Sequence, residues 1–330
     1  MSENVQKTLR DSAALRWLAL ILLAGAMFCS YIFMDILSPI KDLMWDTKGW
    51  DSTAFGTMQG SETFLNVFVF FLIFAGIILD KMGARFTAIL SGAVMLVGAT
   101  INWYALTDMF AGSNLEVWFN EHLNYIPGFD ELGVSPFYKG MPASAKFSAI
   151  GFMIFGCGVE MAGITVSRGI VKWFKGREMA LAMGSEMALA RLGVATCMIF
   201  SPMFARLGGE VSVSRSVAFG VVLLMIALIM FIVYAFMDKK LDSQTGEAEE
   251  KDDPFKLSDL GKILTDSGFW LVALLCVLYY SAIFPFQKYA VNMLQCNLVF
   301  HQVDPSSIWA SNTITIIQYV IMLVVAACAF

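Results

Sequence analysis

Gly76-Ile77-Ile78-Leu79-Asp80-Lys81-Met82-Gly83-Ala84-Arg85 stands between two long apolar runs, at about 56–79 and 86–106. Each run is long enough to cross a bilayer, which takes about twenty apolar residues. The stretch between them concentrates one acid and two bases in six residues. Gly83 suits a tight turn because it has no Cβ to clash there. Gly76, just before the charges, allows a second helix to approach closely. The segment therefore reads as the loop of a transmembrane helix hairpin, and that reading sets the fold class.

Working outward, further spanning runs fall at about 15–37, 147–171, 179–204, 214–237, 269–293 and 307–330, eight in all. The chain of 330 residues is 58% hydrophobic and 15% charged, with a mean hydropathy of +0.69. A soluble protein of this size needs more charge to cover its surface. The expectation is an all-α, multi-pass membrane protein. With the N-terminus inside, the loops on that side carry thirteen lysines and arginines and the outer loops six, which favours N-in by the positive-inside rule. That topology suits a bacterial inner membrane. The N-terminal apolar run is long for a signal peptide and shows no cleavage site, so it reads as the first span.

The connections are uneven. The loop 107–146, on the outer side, contains Trp118, Phe119, Tyr125, Pro127, Pro136 and Pro142, and predicts a small ordered cap. The inner loop 238–267 holds the charged run Glu247 to Asp253, a solvated linker, then a stretch from Pro254 to Asp266 that could form a surface amphipathic helix. It divides the chain into a six-helix unit (1–237), a linker (238–267) and the start of a second unit (268–330). The last apolar run ends at Phe330 without a polar close, which suggests that four more helices follow. Six cysteines lie in or beside apolar runs without metal spacing, and both histidines, His122 and His301, fall in loops. Neither a metal centre nor a histidine proton relay is expected. No cofactor-binding loop, catalytic triad or nucleic-acid patch is visible, so an enzyme is not the expectation.

Two charges interrupt the apolar runs on either side of the basic loop Lys172-Trp173-Phe174-Lys175-Gly176-Arg177. Glu160 and Arg191 are equidistant from its middle. At ~1.5 Å per residue both lie roughly 20 Å from the helix ends at that loop, near mid-bilayer. A lone charge at that depth costs roughly 2.5–3.5 kcal/mol on an insertion scale, so such residues usually face a partner or a wet cavity. Glu160 suits an ammonium group, and Arg191 can clamp a carboxylate. Alternatively the two pair with each other.

The Gly76–Arg85 loop resembles the GxLxDrxGxr signature of the major facilitator superfamily, with Ile78 at the usual leucine position. Gly156-Cys157-Gly158-Val159-Glu160, the loop through Glu178, and Met187 to Gly193 resemble a dipeptide-transporting branch of that superfamily. Ser30-Tyr31, Asp35, Asn66, Tyr279-Tyr280 and Phe284-Pro285-Phe286 also fit it. Glu186 and the long loop 107–146 depart from it. The resemblance implies a fold of three-helix inverted repeats, six helices to a half, with a solute site at the midplane. It also implies that Asp80 and Arg85 tie helix ends together.

On this footing Asp35 is a substrate or gate residue, or a helix-end acid near water. Asn66, one turn from Glu62 on the same face, gains a cavity role. Arg168 is expected to bridge to Glu186, or else to snorkel to the interface. Tyr279 and Tyr280 line the cavity or pack. Pro285 would permit a bend. Lys288 marks the outer interface, or faces the cavity. The expected function is secondary transport of a small polar solute, with short peptides implied by the resemblance and proton coupling open. The rivals are a proton-coupled carrier of organic anions or sugar phosphates, and a non-transporting membrane sensor. A protein partner is left open, since nothing in the residues marks a contact surface for one.

Overall fold

The computed structural model describes residues 8–245, 261 and 264–297. The expected span 307–330, the charged run Glu247 to Asp253 and most of the stretch from Pro254 to Asp266 lie outside the described residues. Nine α-helices follow one another among the described residues: α1 (Ala13–Met34), α2 (Lys41–Lys48), α3 (Ser52–Phe68), α4 (Phe71–Ala105), α5 (Asn114–His122), α6 (Ala143–Trp173), α7 (Met179–Ala205), α8 (Val213–Thr245) and α9 (Ser267–Asn297). Among the described residues, six helical stretches are long and apolar enough to cross a membrane.

The hairpin at Gly76–Arg85 is present with its turn at Gly83, which adopts φ 82°, ψ 161°, a backbone shape that favours glycine. The expected span 56–79 is not one helix. It breaks after Phe68, where Phe70 takes a left-handed conformation at φ 53° before α4 begins. Nothing in the residue types at 69–70 signals the break, since Val-Phe reads as ordinary apolar sequence.

The packing has an internal symmetry. Helix α1 packs on α7 and α8, α3 and α4 pack on α6, and α4 packs on α8. Exchanging the first three spans (α1, then α3 with the first part of α4, then the rest of α4) for α6, α7 and α8 maps these contacts onto one another. Three spans are an odd number, so the second set starts from the opposite membrane face. This is the arrangement of inverted three-helix repeats.

Apolar burial does little to join helices in lipid, where close van der Waals packing takes over. Small residues at the crossings provide it. A Cβ on Gly151 would lie 2.6 Å from the Gly98 carbonyl oxygen, and one on Gly98 would strike the Gly151 and Phe155 backbones, so α4 and α6 run nearly backbone to backbone. Gly156 likewise leaves room for the α3 backbone at Glu62. Phe33, near the end of α1, then packs at a tilt on Phe152 and Phe155 of α6, which stack on each other.

The loop 107–146 folds as an ordered cap. Phe110 and Phe119 are buried with Ala143, beside Tyr104 and Phe147. Phe137 and Met141 join the main core. Lys146, expected as a loop cation, is 1% exposed and donates from Nζ to the Phe119 carbonyl at 3.1 Å and to Asn124 Oδ1 at 3.0 Å. Those two acceptors explain how an ammonium group is kept inside. Tyr138 donates to Asp51 Oδ1 at 3.3 Å, and burial, followed by the Asp51 charge, pushes its phenol up to about 12, so it keeps its proton.

Opposite the cap, the basic-loop end is tied by charge. Asp80 accepts from Arg168 at 2.7 Å, and Arg85 from α4 meets Asp242 of α8 at 2.9 Å. Asp238, fully buried, accepts from Lys172 at 2.7 Å and from the Trp173 indole at 3.0 Å. Lys172 also meets Asp242 at 2.7 Å. The motif residues Asp80 and Arg85 thus fasten α4 to α6 and α8. The expected Arg168–Glu186 bridge is not formed. Asp80 stands at the end of the neighbouring helix, where Arg168 reaches it, while Glu186 lies on α7 within charge range of Arg191.

Candidate functional site

Glu160 lies thirteen residues before the end of α6, and Arg191 twelve after the start of α7. At ~1.5 Å per residue these are matching depths of roughly 20 Å from the joining loop. The two helices pack little on each other, because α6 is engaged with α3 and α4 while α7 is engaged with α1. Both charged side chains are half-buried. No ion pair joins them among the described residues. Arg191 instead places its guanidinium 5.9 Å from the centre of the Tyr31 ring on α1, a cation–π contact that holds the fork in position without using its donors.

Other charges gather around the same place. Glu160, Glu186, Glu62 and Arg191 all lie near enough to Tyr31 to act on it electrostatically. Glu62 and Glu186 are 8% and 7% exposed. Asn66, one turn from Glu62, has both amide atoms buried with no hydrogen-bond partner among the described residues. An unpartnered buried amide is costly, about 1–3 kcal/mol per group, and such groups cluster where a ligand or water completes them.

Asp35 sits where α1 ends, at the C-cap, followed by a 3-10 turn at Ser38–Ile40. It is 3% exposed and meets Lys288 of α9 at 2.7 Å. Lys288 also donates to the Met34 carbonyl at 3.1 Å and to Gln59 Oε1 at 3.4 Å. Beside it Tyr289 packs edge-on against Phe55 and lies under Lys41. Through these residues α9 meets the bundle at the cap end. Its opening stretch from Phe269 to Tyr280 is largely exposed.

The structure therefore brings Glu160, Arg191, Asn66, Glu186 and Asp35 toward one interior region, and adds Tyr31, Gln59, Glu62 and Lys288. Tyr279 and Tyr280 are both 40% exposed and packed edge-to-face with each other, and no ring contact, hydrogen bond or ion pair joins them to these residues among the described residues. Pro285 lies within α9, which continues to Asn297. Lys288, expected chiefly at the outer interface, is the partner of Asp35. The signal for that pairing was present: each is a lone opposite charge near the outer end of an apolar run, and such charges seek each other. Among the described residues no group of His, Cys, Asp and Glu is arranged to hold a metal ion.

A multi-pass bundle of inverted repeats, with charges buried at mid-depth, is the build of a membrane transporter. The chain belongs to the Major Facilitator Superfamily, whose family model matches residues 23–328. It is similar to the lysosomal dipeptide transporter MFSD1 of Gallus gallus, 29% identical over 145 residues, covering 42% of this chain and 32% of that protein. The Danio rerio relative of the same name is 30% identical over 145 residues, covering 42% and 31%. That of Pongo abelii is 24% identical over 280 residues, covering 82% and 52%. The matched regions span between about a third and a half of these relatives' length. No solved structure matches the chain significantly.

Proposed function

We propose that this transporter carries short peptides, or amino-acid-like zwitterions, by alternating access, with Glu160 receiving the ammonium end and Arg191 the carboxylate end. The observation that carries the reading is the pair itself: opposite charges at one depth, on helices that pack apart, with Arg191 braced by Tyr31 and no hydrogen bond from its guanidinium among the described residues. Asn66 supplies a further donor and acceptor, suited to a peptide group. The names of the relatives support the same solute class.

The buried charges weigh against the organic-anion alternative. Four acids (Asp35, Glu62, Glu160 and Glu186) face two bases (Arg191 and Lys288). A dianionic solute would add to that excess. The same acids leave proton coupling open to this carrier. We read the N-terminus as cytoplasmic from the loop cations, which puts the cap outside the cytosol. The inner-membrane expectation rests on those charges alone, whereas the relatives are named lysosomal. Residues 1–237 would form one half and 268 onward the start of the other, joined by the linker 238–267.

Uptake of di- and tripeptides into liposomes containing the full-length protein tests the reading. Uptake that falls when either peptide terminus is blocked supports it. Glu160→Gln should weaken amine recognition; if it changes only the pH dependence, Glu160 is a proton residue instead.

A further inference from the structure

The cap 107–146 carries one helix, α5, whose residues divide into two arcs. At roughly 100° per residue, Trp118, His122, Leu115 and Phe119 fall in that order within one arc of about 100°. Glu116, Asn120, Glu121 and Asn114 fill the rest, with Val117 the apolar exception. The first arc is only half covered by protein. Phe119 is buried against Phe110 and Ala143, and its carbonyl accepts from Lys146 at 3.1 Å, which fixes how the helix is turned. Leu115 and Trp118, next to Phe119 on the same arc, are 44% and 48% exposed.

The place of α5 in the fold says what lies beside that uncovered edge. It packs where the span α4 ends and the span α6 begins. Phe119 meets Phe147 of α6 at 5.0 Å between ring centres, and Tyr104 of α4 meets Phe147 at 6.2 Å. Tyr104 is two turns beyond Val97, on the stripe of α4 that also carries Phe86 and Ile89. Those three are exposed and apolar, as a lipid-facing stripe is. The described bonds from α9 go instead to residues on and beside α1 and α3. Trp118 packs edge-on against Phe119 and stacks on His122. Aromatic contacts thus run without a break from the stripe of α4, across α6, to the exposed edge of α5.

We propose that α5 is an interfacial helix, with its Leu115–Trp118 edge set into the bilayer that holds the spans, at the boundary of headgroups and acyl chains on the cap side. An amphipathic helix lying in the membrane plane has this build, and tryptophan collects at that depth. The attraction is apolar. Helix α5 carries Glu116 and Glu121 and neither lysine nor arginine, and Glu116 accepts from the Gly112 amide at 2.5 Å. Zwitterionic lipid therefore suffices, and anionic headgroups add nothing. Docking also reaches α3, because Tyr138 of the cap bonds Asp51, the N-cap of that helix, at 3.3 Å. The bilayer surface thereby fixes the height of the rim beside the start of α3. The identity of the solute does not enter this argument.

The test uses full-length protein, free of native cysteines, in phosphatidylcholine liposomes. A nitroxide is attached in turn at Leu115→Cys, Trp118→Cys, Asn120→Cys and Glu121→Cys. Power saturation measures access to oxygen, which concentrates in the bilayer, and to a water-soluble nickel chelate. At 115 and 118 oxygen access should exceed nickel access several-fold, and at 120 and 121 the order should reverse. Raised salt should leave the contrast unchanged. Where Trp118→Cys does not fold, the exposed site Leu115→Cys carries the comparison with 120 and 121. Nickel access at 115 equal to that at 120 means that the edge faces water and overturns the proposal. So does shielding from both reagents, which means a protein surface; dipolar broadening between labels would identify it as a second copy. A contrast that appears only with anionic lipid overturns it as well.

Discussion

At the basic-loop end, Asp80, Asp238 and Asp242 take Arg168, Lys172 and Arg85 from helices of the same bundle. At the cap end, Asp35 takes Lys288 from α9, a helix beyond the linker. The first set of pairs closes on itself, with Trp173 and Tyr234 packed around the fully buried Asp238. The second joins the bundle to a helix that follows the linker 238–267. Similar chemistry thus closes the bundle on itself at one end and reaches across to α9 at the other. The difference lies in what the cation is attached to, and in how many partners each carboxylate has. Asp238 has several close donors, whereas Asp35 has Lys288 and a long 3.3 Å bond from Ser38.

The largest expected effect breaks the brace. Asp238→Ala leaves Lys172 and Trp173 without their buried acceptor, and removing one partner of a buried pair costs about 3–5 kcal/mol. Thermal unfolding in detergent should show a large drop in melting temperature. Lys288→Gln should leave the bundle's melting far less changed, because its contact lies between bundle and α9. If the two variants melt alike, the contrast between the ends fails.

Next comes the site between the two ends. Arg191→Ala removes charge-assisted bonds worth about 1.5–3 kcal/mol, so peptide uptake should fall roughly ten- to hundredfold with the melting temperature nearly kept. Arg191→Lys should recover little of this, since an ammonium lacks the planar fork. Smaller still is Gly98→Ala, where an added methyl meets the α6 backbone; overpacking of this kind costs about 1–3 kcal/mol and would be read as lost thermal stability. The smallest is Asp51→Ala at the cap end. Asp51 caps α3 by accepting from the Ala54 amide at 2.6 Å, and losing such a cap costs about 1 kcal/mol.

The sequence made the helix hairpin at Gly83 legible because turn glycine, charge and apolar length all coincide there. It also placed Glu160 and Arg191 at one depth, since helix rise converts sequence distance directly into height. It did not reveal which carboxylate each base would choose. By depth along the helices Arg168 fits Glu186 as well as Asp80, and the packing of α4 on α6 sets Asp80 against it. The break at Phe70 was hidden for a related reason: tertiary packing, not local residue preference, bends an apolar run. The place of Lys288 is ambiguous in the sequence because its depth in α9 fits the outer interface as well as the cavity. Lys146 looked like a loop cation because its acceptors, the Phe119 carbonyl and Asn124, come from a cap whose folding cannot be read residue by residue.

The account turns on whether Glu160 and Arg191 hold the two ends of one solute. The direct measurement is uptake by the full-length protein of a dipeptide, of its N-acetylated form and of its C-amidated form, each with the parent chain and with Glu160→Gln and Arg191→Ala. The account predicts that the free dipeptide is carried, that either block reduces uptake, that Glu160→Gln erases the penalty of N-acetylation, and that Arg191→Ala erases that of amidation. Equal uptake of all three forms by the parent chain, or no uptake of any di- or tripeptide, would contradict it.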